Sequence, residues 1–241
     1  LKAAGRHSAQ VGNVGLPIVY AVADDEEYEF FAVELSSFQL HWTYSLSPLA
    51  SVVLNVADDH VDWHGSFEAY KAAKARIYEN TQVACIFNED HADTRRMVEE
   101  ADVVEGARAV SISSTEIPRV SMLGLAEDIL VDRAFLKDRY HQALELGVLT
   151  DLAQAPGQVP AQHTVENALA AAALTRAAGI APEHVREGLR TYSPGAHRNQ
   201  LVASAGGVQW VNDSKATNPH AANASMSAYP SLVWIAGGLS K

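Results

Sequence analysis

The chain has 241 residues, 48% of them hydrophobic and 20% charged, with a formal net charge of −11. This is enough to build one large domain, or one domain and part of another, around a real core, and it excludes a disordered chain. The acidic balance excludes long-range attraction to nucleic acid or to an anionic membrane, so any anionic ligand must be held by local donors, helix N-termini and metal ions.

LKAAG at the start reads as the end of a helix closed by Gly5, and both ends of the chain read as cut. VGNVGLP then places Gly12, Asn13 and Gly15 ahead of a helix opened by Leu16 and Pro17. The apolar run 28–35 reads as a buried strand, and the valine-rich run 50–56 as the next one. Residues 66–80 carry helical periodicity with Ser66 as N-cap, 82–87 form a strand, and 90–101 a helix. The third of these strands holds the single cysteine, Cys85. No intrachain disulfide can form, which fits a reducing, cytoplasmic compartment. No stretch approaches the roughly 20 apolar residues that cross a bilayer.

Residues 107–149 are less regular, with short strands such as 128–136 expected as an antiparallel flap on the main sheet. Helices resume at 163–178 and 182–192. Ser193, Pro194 and Gly195 break the chain, which divides it into residues 1–195 and 196–241. Beyond the break, 199–204 and 208–212 flank Ala205-Gly206-Gly207 as a hairpin, followed by a helix at 219–228 and a strand at 232–236. Strand–helix alternation of this kind defines an α/β fold with a mostly parallel sheet flanked by helices.

Chemistry gathers at strand ends. Glu34 closes its strand and is followed by Ser36 and Ser37; the next strand runs into Asp58, Asp59, His60, Asp62 and His64. Carboxylates and imidazoles at the C-terminal ends of neighbouring strands face the crevice where such sheets bind ligands. Their spacing matches no tight zinc pattern, and a Mg2+ or Mn2+ shared with a substrate phosphate fits better. In SFEAYKAAKARIYEN the residues Phe67, Tyr70, Ile77 and Tyr78 form one helical stripe with Lys74 near its centre and Lys71 on its flank. Burial lowers a lysine's pKa, and a neutral amine can take up CO2 as a carbamate, an anion able to bind metal. Snorkelling of the aliphatic stem is the alternative. Asn167 lies one turn after His163, and Asp213, Ser214, Lys215, Thr217 and Asn218 crowd the end of a strand.

ELSSFQL, NVADDHVDWH, YKAAKARIYEN and NDSKATN, in this order and spacing, resemble the Mur ligases. Within that family they are most similar to the members that join D-glutamate to UDP-N-acetylmuramoyl-L-alanine at the expense of ATP. The resemblance implies a central ATPase domain followed by the start of a Rossmann-like C-terminal domain. The phosphate-binding loop would lie just before Leu1, so this chain alone is expected to be inactive. The resemblance also implies that Glu34 binds the Mg2+ (or Mn2+) bridging the ATP phosphates, that His60 binds a second metal, and that Lys74 is carbamylated beside it. Asn13 and Ser36 would contact the muramoyl substrate, Asn167 the adenine, and Arg198 and Asp213 the nucleotide. Lys215, Thr217 and Lys241 would face D-glutamate. A monomer without nucleic-acid or membrane partners is expected. The chain departs from the family pattern at Thr164, at Asn199-Gln200 after Arg198, and in the Gly-Gly-Leu-Ser turn before Lys241. A sister ligase using another amino acid, a non-catalytic nucleotide-binding module and a plain structural domain are the competing readings.

Overall fold

The computed structural model describes residues 1–153 and 160–238. Its centre is a six-stranded sheet in the order β3-β4-β5-β6-β7-β8, formed by Ala50–Val53, Ala84–Asn88, Arg108–Ser113, Met122–Ala126, Ile129–Asp132 and Leu144–Val148. The first four strands run parallel, β7 returns antiparallel to β6, and β8 pairs antiparallel with β7. The antiparallel flap is therefore an extension of the main sheet. It begins after β5 and β6, which the sequence reading left within an irregular stretch.

Helices cover both faces. β4 is apolar along nearly its whole length because it has no solvent face. Its Ala84 and Ile86 pack with Val110, Ile112 and Leu123 under α6 (Gln162–Ala177) and α7 (Pro182–Arg190). On the other face Cys85 packs with Val53, Tyr78 and Met97, beneath α4 (Phe67–Ala75), a 3-10 turn at Arg76–Tyr78, and α5 (Ala92–Glu99). The buried side of α6 is built from Val165, Ala168, Leu169, Ala172 and Ala173. Alanine combines high helix propensity with a small side chain, which lets the helix lie close on the sheet. Arg176 anchors its C-terminal end: Nε donates to the buried Asp132 carboxylate at 2.8 Å, which also accepts the N–H groups of Ala134 and Phe135.

A second, separate sheet pairs β1 (Ser8–Gly12) with β2 (Phe30–Glu34) in parallel. Two expectations change here. The 28–35 strand is shorter and not buried: Phe31 and Val33 are 38% and 40% exposed, and among the described residues β2 pairs with β1 alone. Nor is β2 a hydrogen-bonded neighbour of β3, so Glu34 and His60 do not share one sheet edge. α1 (Ile18–Ala23) follows Pro17, as the sequence indicated.

Beyond Gly195, β9 (Gln200–Ala205) and β10 (Val208–Asn212) form the expected hairpin. Gly206 and Gly207 both have positive φ, 59° and 78°, as a tight primed turn requires. α8 (Pro219–Met226) follows, capped by the Asn218 side chain on the Ala221 N–H. The run 232–236 is not a strand. Its Val233 is 91% exposed, and no described strand lies alongside to pair with its backbone, which is what a strand needs.

The Tyr78 hydroxyl ties the two sides of the β3–β4 crossover. It accepts the Val53 N–H at 2.8 Å and donates to the Ile86 carbonyl at 2.7 Å, fully buried. Burial drives its pKa strongly upward, so it remains a phenol. Tyr78→Phe leaves both backbone groups without this partner and is expected to cost roughly 1–3 kcal/mol in urea unfolding; an unchanged midpoint would show that the bridge is dispensable.

Candidate functional site

The site begins at the close pairing of β1 and β2. Gly12 has φ 112°, and a Cβ there would meet the Glu34 carbonyl oxygen at 2.2 Å, so only glycine fits. The next residue, Asn13, donates its backbone N–H to that carbonyl at 2.7 Å and its side-chain amide to Glu34 Oε1 at 3.1 Å. Two of the sequence candidates are thus in direct contact.

After Glu34 the chain turns into the short helix α2 (Ser37–His41) through a capping box. The Ser36 hydroxyl accepts the Gln39 N–H at 3.2 Å, and Gln39 Oε1 accepts the Ser36 N–H at 2.9 Å. The S-x-x-Q spacing of Ser36 and Gln39 is a legible helix-start signal that the sequence reading passed over. The hydroxyl proposed to touch substrate is therefore already committed to a cap.

His60 follows β3 in the left-handed conformation, φ 55°, as N-cap of α3 (Val61–His64). The Asp59 carboxylate accepts its backbone N–H at 3.0 Å and lies 3.6 Å from its Nδ1. Phe38, from α2, sits 4.8 Å from the His60 ring and 4.8 Å from Trp63, and stacks on His64 at 5.7 Å. His64 Nε2 is 3.0 Å from the buried Ser37 hydroxyl. Burial first, then the neighbouring His41 and His60, holds the His64 imidazole below the usual histidine pKa.

α4 brings in the lysine. Ser66 caps it by accepting the Ala69 N–H at 3.1 Å, as its sequence position indicated. Lys74 is half-buried, with Nζ 5.6 Å from the Tyr70 ring centre. That ring is 5.4 Å from His64 and 6.3 Å from His60. Burial lowers the Lys74 pKa, against the opposing pull of the Asp59 and Glu34 carboxylates. Lys71, one turn earlier, is the contrast: ion pairs with Glu68 at 2.8 Å and Asp93 at 3.2 Å raise its pKa. Two lysines on one helix are thus tuned in opposite directions.

A polar network at the ends of β4 and β5 escaped the sequence reading. Asp90 accepts from the Ser113 and Thr115 hydroxyls at 2.9 and 2.7 Å, and Ser114 Oγ reaches Glu166 at 3.3 Å. Gln162 Nε2 donates to the same Glu166 oxygen at 2.8 Å. The polar NED that ends the apolar run ACIF was the available signal, of the same kind as ADDH after β3. Asn167 stands exposed on α6 beside this network, one residue after Glu166.

Arg198, Asp213, Lys215 and Thr217 lie around the base of the β9–β10 hairpin. Asp213 accepts the Asn199 N–H at 2.8 Å, and the Lys215 N–H donates to the His197 carbonyl at 3.1 Å. Asn199, a departure from the family pattern, also accepts the Tyr229 hydroxyl at 2.6 Å. The Arg198, Lys215 and Thr217 side chains are exposed. Lys241 lies outside the described residues. Among the described residues no hydrogen bond or ion pair links the hairpin group to Glu34, His60 or Lys74. No set of three or more His, Cys, Asp or Glu side chains forms a ready metal cage there either. An incomplete set of oxygen and nitrogen donors fits Mg2+, which keeps several waters and takes further oxygens from substrate phosphates.

The Mur ligase middle domain matches residues 5–175, and the chain belongs to the Mur ligase family. Curated relatives include the UDP-N-acetylmuramoylalanine--D-glutamate ligases of Streptomyces coelicolor, 52% identical, and Leifsonia xyli, 51% identical. All of this chain aligns in both cases, with 50% and 47% of those proteins, so it spans about half the length of these relatives. The fold is shared with the Thermotoga maritima MurF ligase solved in complex with ADP, at a TM-score of 0.61 and 17% identity over 92% of this chain and 50% of that one. The apo form of L. casei FPGS shares it at a TM-score of 0.58 and 15% identity, over 94% and 65%. No helix among the described residues is long and apolar enough to cross a membrane.

A lysine whose pKa is lowered by folding destabilises the folded state while it is charged. That penalty fades as pH rises through the depressed value toward 10.5. Lys74→Met should therefore be more stable than the parent chain near neutrality, with the advantage shrinking toward pH 10. Denaturant melts of the two across this range test it; a pH-independent difference would contradict the burial effect.

Proposed function

We propose that this chain is the central domain, residues 1–195, and the start of the C-terminal domain, residues 196–241, of an ATP-dependent ligase that joins D-glutamate to UDP-N-acetylmuramoyl-L-alanine. The reaction belongs to peptidoglycan precursor synthesis in the cytoplasm. The observation that carries this reading is Lys74, half-buried beside Tyr70, its pKa lowered and the carboxylates of Asp59 and Glu34 acting on it. A lysine in that state can stay neutral and take up CO2, and a carbamate there would be a negative ligand for a metal. The identity of about 50% to D-glutamate ligases supports the choice of amino acid.

In this reading the substrate carboxylate takes the γ-phosphoryl group of ATP and releases ADP, and the amine of D-glutamate then attacks the acyl phosphate and expels phosphate; Mg2+, when bound, would offset the repulsion between the two anions of the first step. Glu34, oriented by Asn13, and His60, held by Asp59, supply metal ligands. Asn13 also faces the muramoyl group, and Asn167 the adenine. Arg198 and Asp213 approach the nucleotide from the C-terminal side. Lys215, Thr217 and Lys241 hold the incoming amino acid. Closure about Ser193–Gly195 brings the two groups together.

Two experiments on the full-length protein test this. Phosphate release with ATP, Mg2+ and UDP-N-acetylmuramoyl-L-alanine should require D-glutamate and fail with L-glutamate, L-lysine or diaminopimelate; release with another amino acid moves the protein to a sister ligase. With 13C-bicarbonate, a carbamate resonance should appear in the parent and in Lys71→Ala. It should vanish, together with turnover, in Lys74→Ala, and an active Lys74→Ala protein removes the carbamate role.

A further inference from the structure

Glu34 and His60 are delivered by strands of two different sheets, so no backbone ladder sets their separation. What joins the segments carrying them is a small set of side chains. The Ser37 hydroxyl, three residues after Glu34, is hydrogen-bonded to His64 Nε2, four residues after His60, at 3.0 Å. Phe38 fills the space beside this bond, stacked on His64 and against His60 and Trp63. Ser37 is only 4% exposed, so the hydroxyl has little access to water as an alternative partner, and losing His64 would leave it poorly satisfied. α3 is a single turn whose N-cap is His60 itself. A helix that short does not hold its own position, and it takes its orientation from what its ends touch. His64 is its last residue and Gly65, φ 85°, its C-cap.

We propose that the Ser37–His64 hydrogen bond is a positioning contact that fixes the His60 imidazole relative to the Glu34 carboxylate, and so sets metal affinity without either residue touching the metal. The bond spans the seam between the two sheets at one side-chain pair. The imidazole suits the task because its flat ring packs on Phe38 while its Nε2 reaches the hydroxyl, and a residue offering only one of these keeps half the contact.

This inference rests on the assignment of Glu34 and His60 as metal ligands. Its readout is metal binding, which is independent of the amino acid used. In the full-length protein with a non-hydrolysable ATP analogue, Mn2+ binding is followed by the EPR signal of the free ion. His64→Phe keeps the ring and removes the hydrogen bond; Ser37→Ala removes it from the other side; His64→Gln keeps a polar group within reach. His64→Phe and Ser37→Ala should each weaken Mn2+ binding about 10–100-fold, as loss of a ligand-orienting partner does. The double variant should be no worse than either single one, and His64→Gln, which keeps the hydrogen bond without the ring, should recover part of the affinity. Thermal melts of each variant accompany the titrations. Unchanged Mn2+ affinity in the two single variants overturns the proposal. So does a loss that follows melting temperature across all variants with no recovery in His64→Gln, or a parent protein that binds no Mn2+. A parent that binds Mn2+ through this pair yet forms no amide with D-glutamate overturns the ligase reading and leaves the positioning contact standing.

Discussion

β4 has no solvent face, and this constraint organises the rest of the molecule. A strand buried on both sides must be apolar along its length and must be covered by helices above and below. It therefore dictates an alanine-rich α6 on one side and the Tyr78–Met97 cluster on the other. The polar residues at its C-terminal end, from Asn88 to Asp90, are pushed to the edge of the sheet together with those of β3 and β5. The Tyr78 hydroxyl enforces the arrangement where α4 passes into β4, by bonding to the backbones of β3 and β4 at once.

The site combines two kinds of precision. Within each sheet, backbone hydrogen bonds fix the strand ends. Across the seam between the sheets, side chains alone do so, and these are unusually aromatic: Phe38, Trp63, His64 and Tyr70 touch one another in sequence. Rings have few rotatable bonds, so a contact between them sets orientation at small entropic cost. Lys74 sits at the end of this series, over the Tyr70 ring. Its depressed proton affinity comes from burial, opposed by the Asp59 and Glu34 carboxylates.

The features legible from sequence were those decided locally. Ser66 capped its helix, the glycine pair closed its hairpin, Pro182 opened α7, and Lys74 stood out as a cation in an apolar stripe. Each depends on residues a few positions apart. What was not legible depends on partners distant in the chain. Whether 28–35 is buried turns on what covers β2, which its hydrophobicity alone could not say. The run 232–236 has strand composition and no described strand to pair with. β5 hid because RAVSIS mixes polar and apolar residues, although it is buried against β4 and β6. Ser37 and His64 stood out as polar residues near strand ends, but their meeting was not legible because it joins two short helices that follow strands of different sheets.

The close approach at Gly12 bears on how sequence variation in this region should be interpreted. Because the Glu34 carbonyl occupies the space a Cβ would need, any descendant that preserves the pairing of β1 with β2 has one amino acid available at position 12. Purifying selection there would act through geometry and would persist in a lineage that had lost every catalytic group nearby. Asn13 and Glu34, which touch each other through their side chains, are under no such compulsion. Joint drift of those two beside an unchanging glycine would be the genetic record of a scaffold that outlived its chemistry.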